Sequence, residues 1–283
     1  MTTIDFYLYR IKFIYPEQRS YLDDNISRQE LFQGIVNERP TVVLRARYNW
    51  HVGNLRNIDK NGGHFAVGRT TKATLPNFDE TTKNFVDIPT VASPYTHVLF
   101  DSCIGFVAIA ENADLSPHTS GISRAIMRLF QNANIVIKNR VHILVEPIAN
   151  PRDFIESIRS AYAIRLFEIV LSRPNPDDVE ESLQKPVEKY IEKANAEKGK
   201  VGVYGKELDS DTIAHVTESV AASGNDAKAS IRDDINSRFH TVRLKDNPAV
   251  ISVDENMDMK ETLVQTRLLY KNIRGKSNDL SDN

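Results

Sequence analysis

The sequence has little cysteine and no long apolar run. Its single cysteine, Cys103, cannot form a disulfide within the chain, which excludes a disulfide-stabilised scaffold and is typical of a reducing compartment. Apolar runs such as 143–145 have the length of a strand and fall far short of the roughly 20 residues that a membrane helix needs. The first residues lack a basic segment that leads into an apolar one. We therefore expect a cytoplasmic protein with no membrane partner.

Glycine, proline and net charge are also modest. The 283 residues include 12 Gly and 12 Pro, and 41% of the chain is hydrophobic, so collagen-like and disordered chains are excluded. The length suits one large domain or two smaller ones. A net charge of −2 gives no global signature of nucleic-acid binding. Such binding would have to depend on local clusters of basic residues.

Familiar catalytic motifs are missing. The sequence contains no cysteine pair, no His-x-His and no His-Glu-x-x-His, so a structural zinc site has no basis. Gly199, Gly202 and Gly205 lack the spacing of a dinucleotide-binding loop. No cofactor is predicted, except for Mg²⁺ or Mn²⁺ under one alternative below.

Hydrophobic periodicity predicts an α+β fold. A β-rich N-terminal part should run into a mixed sheet that carries helices, followed by a smaller C-terminal α/β module. Helices are expected at 27–40, from Ser116-Pro117, and at 152–162, 179–194, 210–222 and 258–273. Strands are expected at 4–15, 41–52, 53–58, 64–69, 85–88, 97–101, 105–111, 141–145, 164–171, 199–205, 227–231, 239–244 and 250–253.

The strongest break in the pattern is Arg173-Pro174-Asn175-Pro176-Asp177. Two prolines disfavour helix before them, and an aspartate can cap a helix after them. The sequence therefore predicts one domain over 1–173, a smaller module over 177–275 and a disordered tail over 276–283.

Basic residues are concentrated between positions 41 and 72, where six Lys or Arg face a single acid. Alternation in 41–52 places Trp50 in the core and polar side chains on the other face. We expect the polar face and the following hairpin to bind nucleic acid. The binding residues would be Arg45, Arg47, Arg56, Lys60 and Arg69. The leading hypothesis is a nucleic-acid-associated component, non-catalytic or weakly catalytic, of a microbial intracellular system. A link to antiviral defence is a hypothesis that no residue supports.

Carboxylates at strand positions suggest an alternative function. Asp101 and Glu146 end predicted strands, and Glu168 lies inside an apolar one. If these strands were neighbours, the three carboxylates could hold Mg²⁺ or Mn²⁺ for phosphodiester hydrolysis. The competing interpretation is that they form ordinary salt bridges.

A third hypothesis is an assembly subunit. The segment 177–198 has seven acids against four lysines and an apolar stripe with helical spacing. It could bind a basic protein partner, although packing on its own sheet is the more frequent outcome.

Overall fold

The strand β1 (Thr3–Ile14) lies second from one end of the larger of two sheets, with strands paired along both of its edges. The structure is a computed structural model, and it describes residues 2–15, 26–45, 48–172, 181–246 and 248–274. One edge of β1 pairs with a strand from the middle of the chain, and the other edge pairs with two strands in succession. Its side chains are buried on both faces, which suits its run of Phe, Tyr, Leu and Ile.

Seven α-helices and thirteen strands are present among the described residues. The helices are α1 (Arg28–Glu38), α2 (Thr119–Gln131), α3 (Asn134–Lys138), α4 (Arg152–Ser160), α5 (Gln184–Lys193), α6 (Ser210–Ala222) and α7 (Met259–Arg274). The further strands are β2 (Thr41–Leu44), β3 (Tyr48–Asn57), β4 (Gly62–Asp79), β5 (Asn84–Ala92), β6 (Tyr95–Asp101), β7 (Phe106–Ala110), β8 (His142–Pro147), β9 (Ala163–Ser172), β10 (Lys198–Tyr204), β11 (Asp226–Arg232), β12 (His240–Arg243) and β13 (Val250–Asp254).

The larger sheet has the order β13-β1-β7-β6-β4-β3-β2, with β8 also on β1 and β5 on β4. The smaller sheet has the order β10-β9-β11-β12. Every pairing described between these strands is antiparallel. The α+β class with a β-rich N-terminal part is confirmed. None of the helices in the described part of the chain is long and apolar enough to cross a membrane.

Two hydrophobic cores cover the two faces of the larger sheet. On one face, α1 and α2 bury residues such as Phe32, Phe130 and Trp50. The other face packs against α6, α7 and the smaller sheet, in a hydrophobic cluster that includes Phe6, Phe106 and Val220. The predicted burial of Trp50 is confirmed, since 6% of its surface is exposed.

The smaller sheet combines strands from both sides of the boundary predicted at 173–177. Its central strand β9 precedes that boundary, whereas its partners β10 and β11 follow it. The last strand, β13, returns to the larger sheet and pairs with β1. Residues 173–180 and 275–283, which include the whole predicted linker and the predicted tail, lie outside the described residues.

The single strand predicted at 41–52 is wrong, because this segment is a hairpin. β2 turns at Arg45, whose φ of 54° is left-handed, and pairs with β3. Leu44 faces Tyr48 and Val42 faces Trp50. The two partners of each pair are both even-numbered, and partners across an antiparallel pair share a face, so the even-numbered residues stay on one face on both sides of the turn. A hairpin and a single strand therefore give the same alternation of apolar and polar residues.

Three other boundaries differ from prediction. Helix α2 begins at Thr119 instead of Ser116-Pro117, because Leu115 and Ser116 still bond to Asn112 in a turn. The helix predicted at 179–194 begins at Gln184 as α5, with Pro186 in its first turn, where the missing N–H removes no helical hydrogen bond. The short strand predicted at 85–88 is part of a much longer β5.

A buried ammonium group connects the two sheets. Lys12 on β1 is 3% exposed, and its Nζ lies 2.9 Å from Glu146 Oε2 on β8. The same Nζ donates to Ser172 O and Oγ at the end of β9 and to Asn225 Oδ1 after α6. Burial lowers the pKa of Lys12 to about 8, and the Glu146 carboxylate opposes that shift. Lys12 is therefore protonated at neutral pH with all its donors occupied.

Lys12→Met should strongly destabilise the protein. The substitution leaves the Glu146 carboxylate and the Asn225 carbonyl without their cation, and removing one partner of a buried pair costs about 3 to 5 kcal/mol. Urea unfolding measures the loss. The double variant Lys12→Met with Glu146→Gln should recover part of it, because no uncompensated charge remains. Lys60→Met, at an exposed site, is the control. A loss below about 1 kcal/mol for Lys12→Met would contradict the assignment.

Candidate functional site

The predicted metal site does not assemble, because each carboxylate is bound to a different cation. Asp101, at the end of β6, accepts from Arg267 Nε at 2.7 Å and from the backbone N–H groups of Cys103 and Ile104. It thus closes a turn and anchors α7. Both carboxylate oxygens of Asp101 therefore already accept hydrogen bonds, which indicates a structural role.

The other two carboxylates are also occupied. Glu146 accepts from Lys12 and from Ser172 Oγ at 2.8 Å. Glu168 lies in the smaller sheet, 2.7 Å from Lys200 Nζ and 3.0 Å from Lys228 Nζ. In the part of the chain that the structure describes, no three His, Cys, Asp or Glu residues are grouped to hold a metal. The salt-bridge interpretation accounts for all three carboxylates.

The predicted basic residues do not form one surface. Arg45 is exposed in the turn between β2 and β3, and Arg47 lies outside the described residues. Arg69 packs its guanidinium 4.4 Å from the ring centroid of Tyr48 and donates to Asp114 O, so its role is structural. Arg56 and Lys60 are exposed and line two neighbouring cavities at the β3–β4 hairpin.

The larger of these cavities has a volume of about 630 Å³. It lies between the β3–β4 hairpin, β6 and the N-terminal end of α7. Its lining is Arg39, Asn54, Leu55, Arg56, Asn57, Ile58, His64, His97, Asp258, Met259 and Lys260. The smaller cavity, of about 170 Å³, shares Leu55 and Asn57 with it and also contains Lys60. We call the larger one the histidine cavity.

Two hydrogen-bonded histidines give the histidine cavity its chemical character. His64 Nε2 lies 2.8 Å from His97 Nδ1, and the tautomers decide which ring donates. Burial, with smaller effects from His97 and Arg56, lowers the pKa of His64 to about 4. Burial also lowers the pKa of His97. Both rings are neutral at pH 7, and within the described residues each keeps one ring nitrogen with no hydrogen bond.

Three cations surround the histidine pair. Arg39, Arg56 and Lys260 are exposed at the cavity, where Asp258 is the single carboxylate of the lining. Within the ranges that the structure describes, the side chains of the three cations form no ion pair or hydrogen bond. Unpaired cations around a cavity of this size favour an anionic ligand.

An ion-pair bridge holds α7 against the hairpin. Arg267 contacts Asp59 at 2.6 Å and Asp101 at 2.6 Å. Its hydrogen bond lowers the pKa of Asp59 to about 2, and Asp59 Oδ1 also caps the hairpin turn through the N–H groups of Asn61 and Gly62. The bridge therefore places the start of α7, with Lys260, beside the end of β3.

Comparison with known families matches nearly the whole chain. A family described as a domain of unknown function, DUF4747, matches residues 2–269. The chain belongs to the DUF4747 family. Among curated proteins, none matches it. The DUF4747 match includes every residue of the histidine cavity and the Arg267 bridge. Because the family description names no activity, the function must be argued from the site itself.

Most residues of the candidate site in this DUF4747 protein are not indicated by its sequence pattern. Five residues of the site were not among the predicted ones: Arg39, His64, His97, Asp258 and Lys260. Both histidines lie in predicted strands, where His64 shares a face with Ala66 and His97 shares a face with Leu99. This pattern indicates that the two rings are partly buried. No local signal brings α7 to the hairpin, since Arg56 and Lys260 are separated by some 200 positions.

Stability should fall as the pH falls from 6.5 to 4. In this range the unfolded chain binds a proton at His64, whereas the folded chain, with a His64 pKa of about 4, does not. Protonation therefore favours unfolding, by roughly 1 to 3 kcal/mol for a shift of this size. Urea unfolding at pH 7 and pH 4.5 should show a smaller difference for His64→Gln than for the wild type. His142→Gln, at an exposed site, should retain the full difference. An equal pH dependence in wild type and His64→Gln would refute the assignment.

Proposed function

We propose that this protein binds single-stranded nucleic acid, with a phosphate group held in the histidine cavity. The observation that carries the proposal is the set of three unpaired cations, Arg39, Arg56 and Lys260, around two neutral imidazoles. Arginine forms paired hydrogen bonds with phosphate oxygens, and lysine supplies a point charge. The neutral imidazoles can donate or accept hydrogen bonds without adding charge.

The size and lining of the cavity support a nucleotide unit. A volume of about 630 Å³ falls in the usual range for small-ligand sites. Leu55, Ile58 and Met259 are partly buried in its wall and offer apolar contact to a base. The half-buried ring of His97 is itself in edge contact with Tyr95, at a centroid distance of 5.6 Å. Aromatic and apolar surfaces beside a cationic groove are typical of single-strand binding.

The neighbouring cations can continue the path of the strand. Lys60 lines the adjoining smaller cavity, and Leu55 and Asn57 lie on the wall between the two. Arg45 is exposed at the far end of β3. Arg69 is excluded from the proposed interface because it is packed on Tyr48. The proposal thus retains Arg45, Arg56 and Lys60 from the predicted set and adds Arg39 and Lys260.

Binding of a fluorescent oligothymidylate over a salt series tests the proposal. Each lost phosphate contact on a single strand should reduce the magnitude of the slope of log K against log salt by about 0.7. Arg56→Ala with Lys260→Ala should therefore flatten the slope by about 1.4. Lys271→Ala removes an exposed lysine eleven residues further along α7 and is the matched control. Its slope should equal that of the wild type.

Two outcomes would overturn the proposal. One is an unchanged slope in the Arg56→Ala and Lys260→Ala variant. The other is the absence of wild-type binding even at low salt. Because both substituted side chains are exposed, urea unfolding should be unaffected and separates lost binding from lost folding.

A further inference from the structure

Strands β4 and β5 extend beyond the larger sheet as a two-stranded ribbon. They remain paired from Thr71 and Ala92 to Asp79 and Asn84. The pairing of β4 with β3 ends at Thr70, and its pairing with β6 ends at Gly68. Within the described residues, therefore, the ribbon, defined as residues 71–92, pairs only with itself.

Both faces of the ribbon carry exposed apolar side chains. Because partners across an antiparallel pair share a face, Phe78 and Phe85 lie on the same face as Val91. Phe85 is 81% exposed and Val91 is 66% exposed. The opposite face carries Leu75, Val86 and Ile88, which are also exposed.

Such a ribbon needs a partner. An isolated two-stranded ribbon is at best marginally stable in water, and exposed apolar patches of this kind mark interaction surfaces. The rings of Phe78 and Phe85 meet in edge contact at 5.2 Å, so that face is already ordered for packing. The partner surface should therefore be apolar.

Each edge of the ribbon contains a proline, which hinders further strand pairing. Pro76 faces Asp87, and Pro89 faces Thr74, two positions away along the ribbon. Proline has no N–H to donate to the opposite strand, so both prolines occupy non-hydrogen-bonded pairs. In such pairs the backbone N–H positions point away from the partner strand. Each free edge thus lacks a donor at its proline, which disfavours association through the edges relative to the faces.

The charge of the ribbon disfavours nucleic acid as the partner. Residues 71–92 contain two lysines against three acids, a net charge of −1. The face with Phe78 and Phe85 carries one charge of each sign, Lys72 and Asp87. A surface with apolar residues and one charge of each sign can be complementary to itself.

We propose that the ribbon joins two copies of this chain, with the Phe78, Phe85 and Val91 face of one ribbon on the same face of the other. A two-fold interface uses the same patch on both subunits, which suits a self-complementary face. The three exposed apolar side chains of this face, with Lys72 and Asp87 beside them, form the contact surface of each copy.

Sedimentation velocity of the full chain over a range of concentrations tests this proposal. The wild type should be a dimer, and Phe85→Ser with Val91→Thr should shift it to a monomer. The matched control, Tyr204→Ser with Val43→Thr, replaces two equally exposed apolar side chains outside the ribbon and should remain a dimer. A second variant replaces residues 74–89 with an Asn-Gly turn closed by the pair of Ala73 and Thr90, so that the ribbon is shortened without change to the sheet.

Each result decides for or against the ribbon interface. A monomer in both ribbon variants, with circular dichroism that shows a folded chain, supports it. A monomeric wild type at all concentrations overturns it and leaves the ribbon to a different protein. A dimer that survives in both ribbon variants also overturns it. The outcome is independent of nucleic-acid binding, because no cation of the histidine cavity lies in the ribbon.

Discussion

The ammonium group of Lys12 determines how the two sheets meet. A buried cation is tolerated only where its donors are matched by acceptors, and the acceptors for Lys12 come from β8, the end of β9 and the loop between α6 and β11. These elements can therefore approach β1 in few ways. Beside it, the Arg10 guanidinium bonds to Ala222 O and to the Tyr270 hydroxyl, which fixes α6 and α7 to the same strand. Hydrophobic burial supplies the stabilisation, whereas these two cations select the arrangement.

That arrangement makes the histidine cavity possible. Once α7 lies on the larger sheet, Arg267 reaches both Asp59 in the hairpin turn and Asp101 at the end of β6. The first turn of α7 is then beside the exposed end of β3, where β2 no longer pairs with it. The cavity forms because β3 extends beyond the end of its pairing with β2, and the start of α7 lies beside the unpaired part. Its residues come from three parts of the chain that only the tertiary structure unites.

Local patterns predicted the elements well and their connections poorly. The capping box of Ser27 and Glu30, the apolar face of α2 around Ile126 and the positive-φ Gly224 after α6 are all set by near neighbours. The turn at Arg45 was missed because a three-residue connection keeps the parity of the faces. The return of β13 to β1 depends on pairing across more than 240 positions, for which a single sequence carries no local signal.

Charge composition was misleading for a related reason. Counting lysines, arginines and acids along the sequence treats every charge as available, but the structure pairs some and leaves others unpaired. Asp59, the one acid in the basic segment, is neutralised by Arg267, which lies far outside it. Arg69, one of its cations, is packed on Tyr48. What remains at the hairpin is a local excess of unpaired positive charge within a protein of net charge −2. Because screening confines such fields to about 10 Å at ordinary ionic strength, these nearest unpaired groups determine what the cavity attracts.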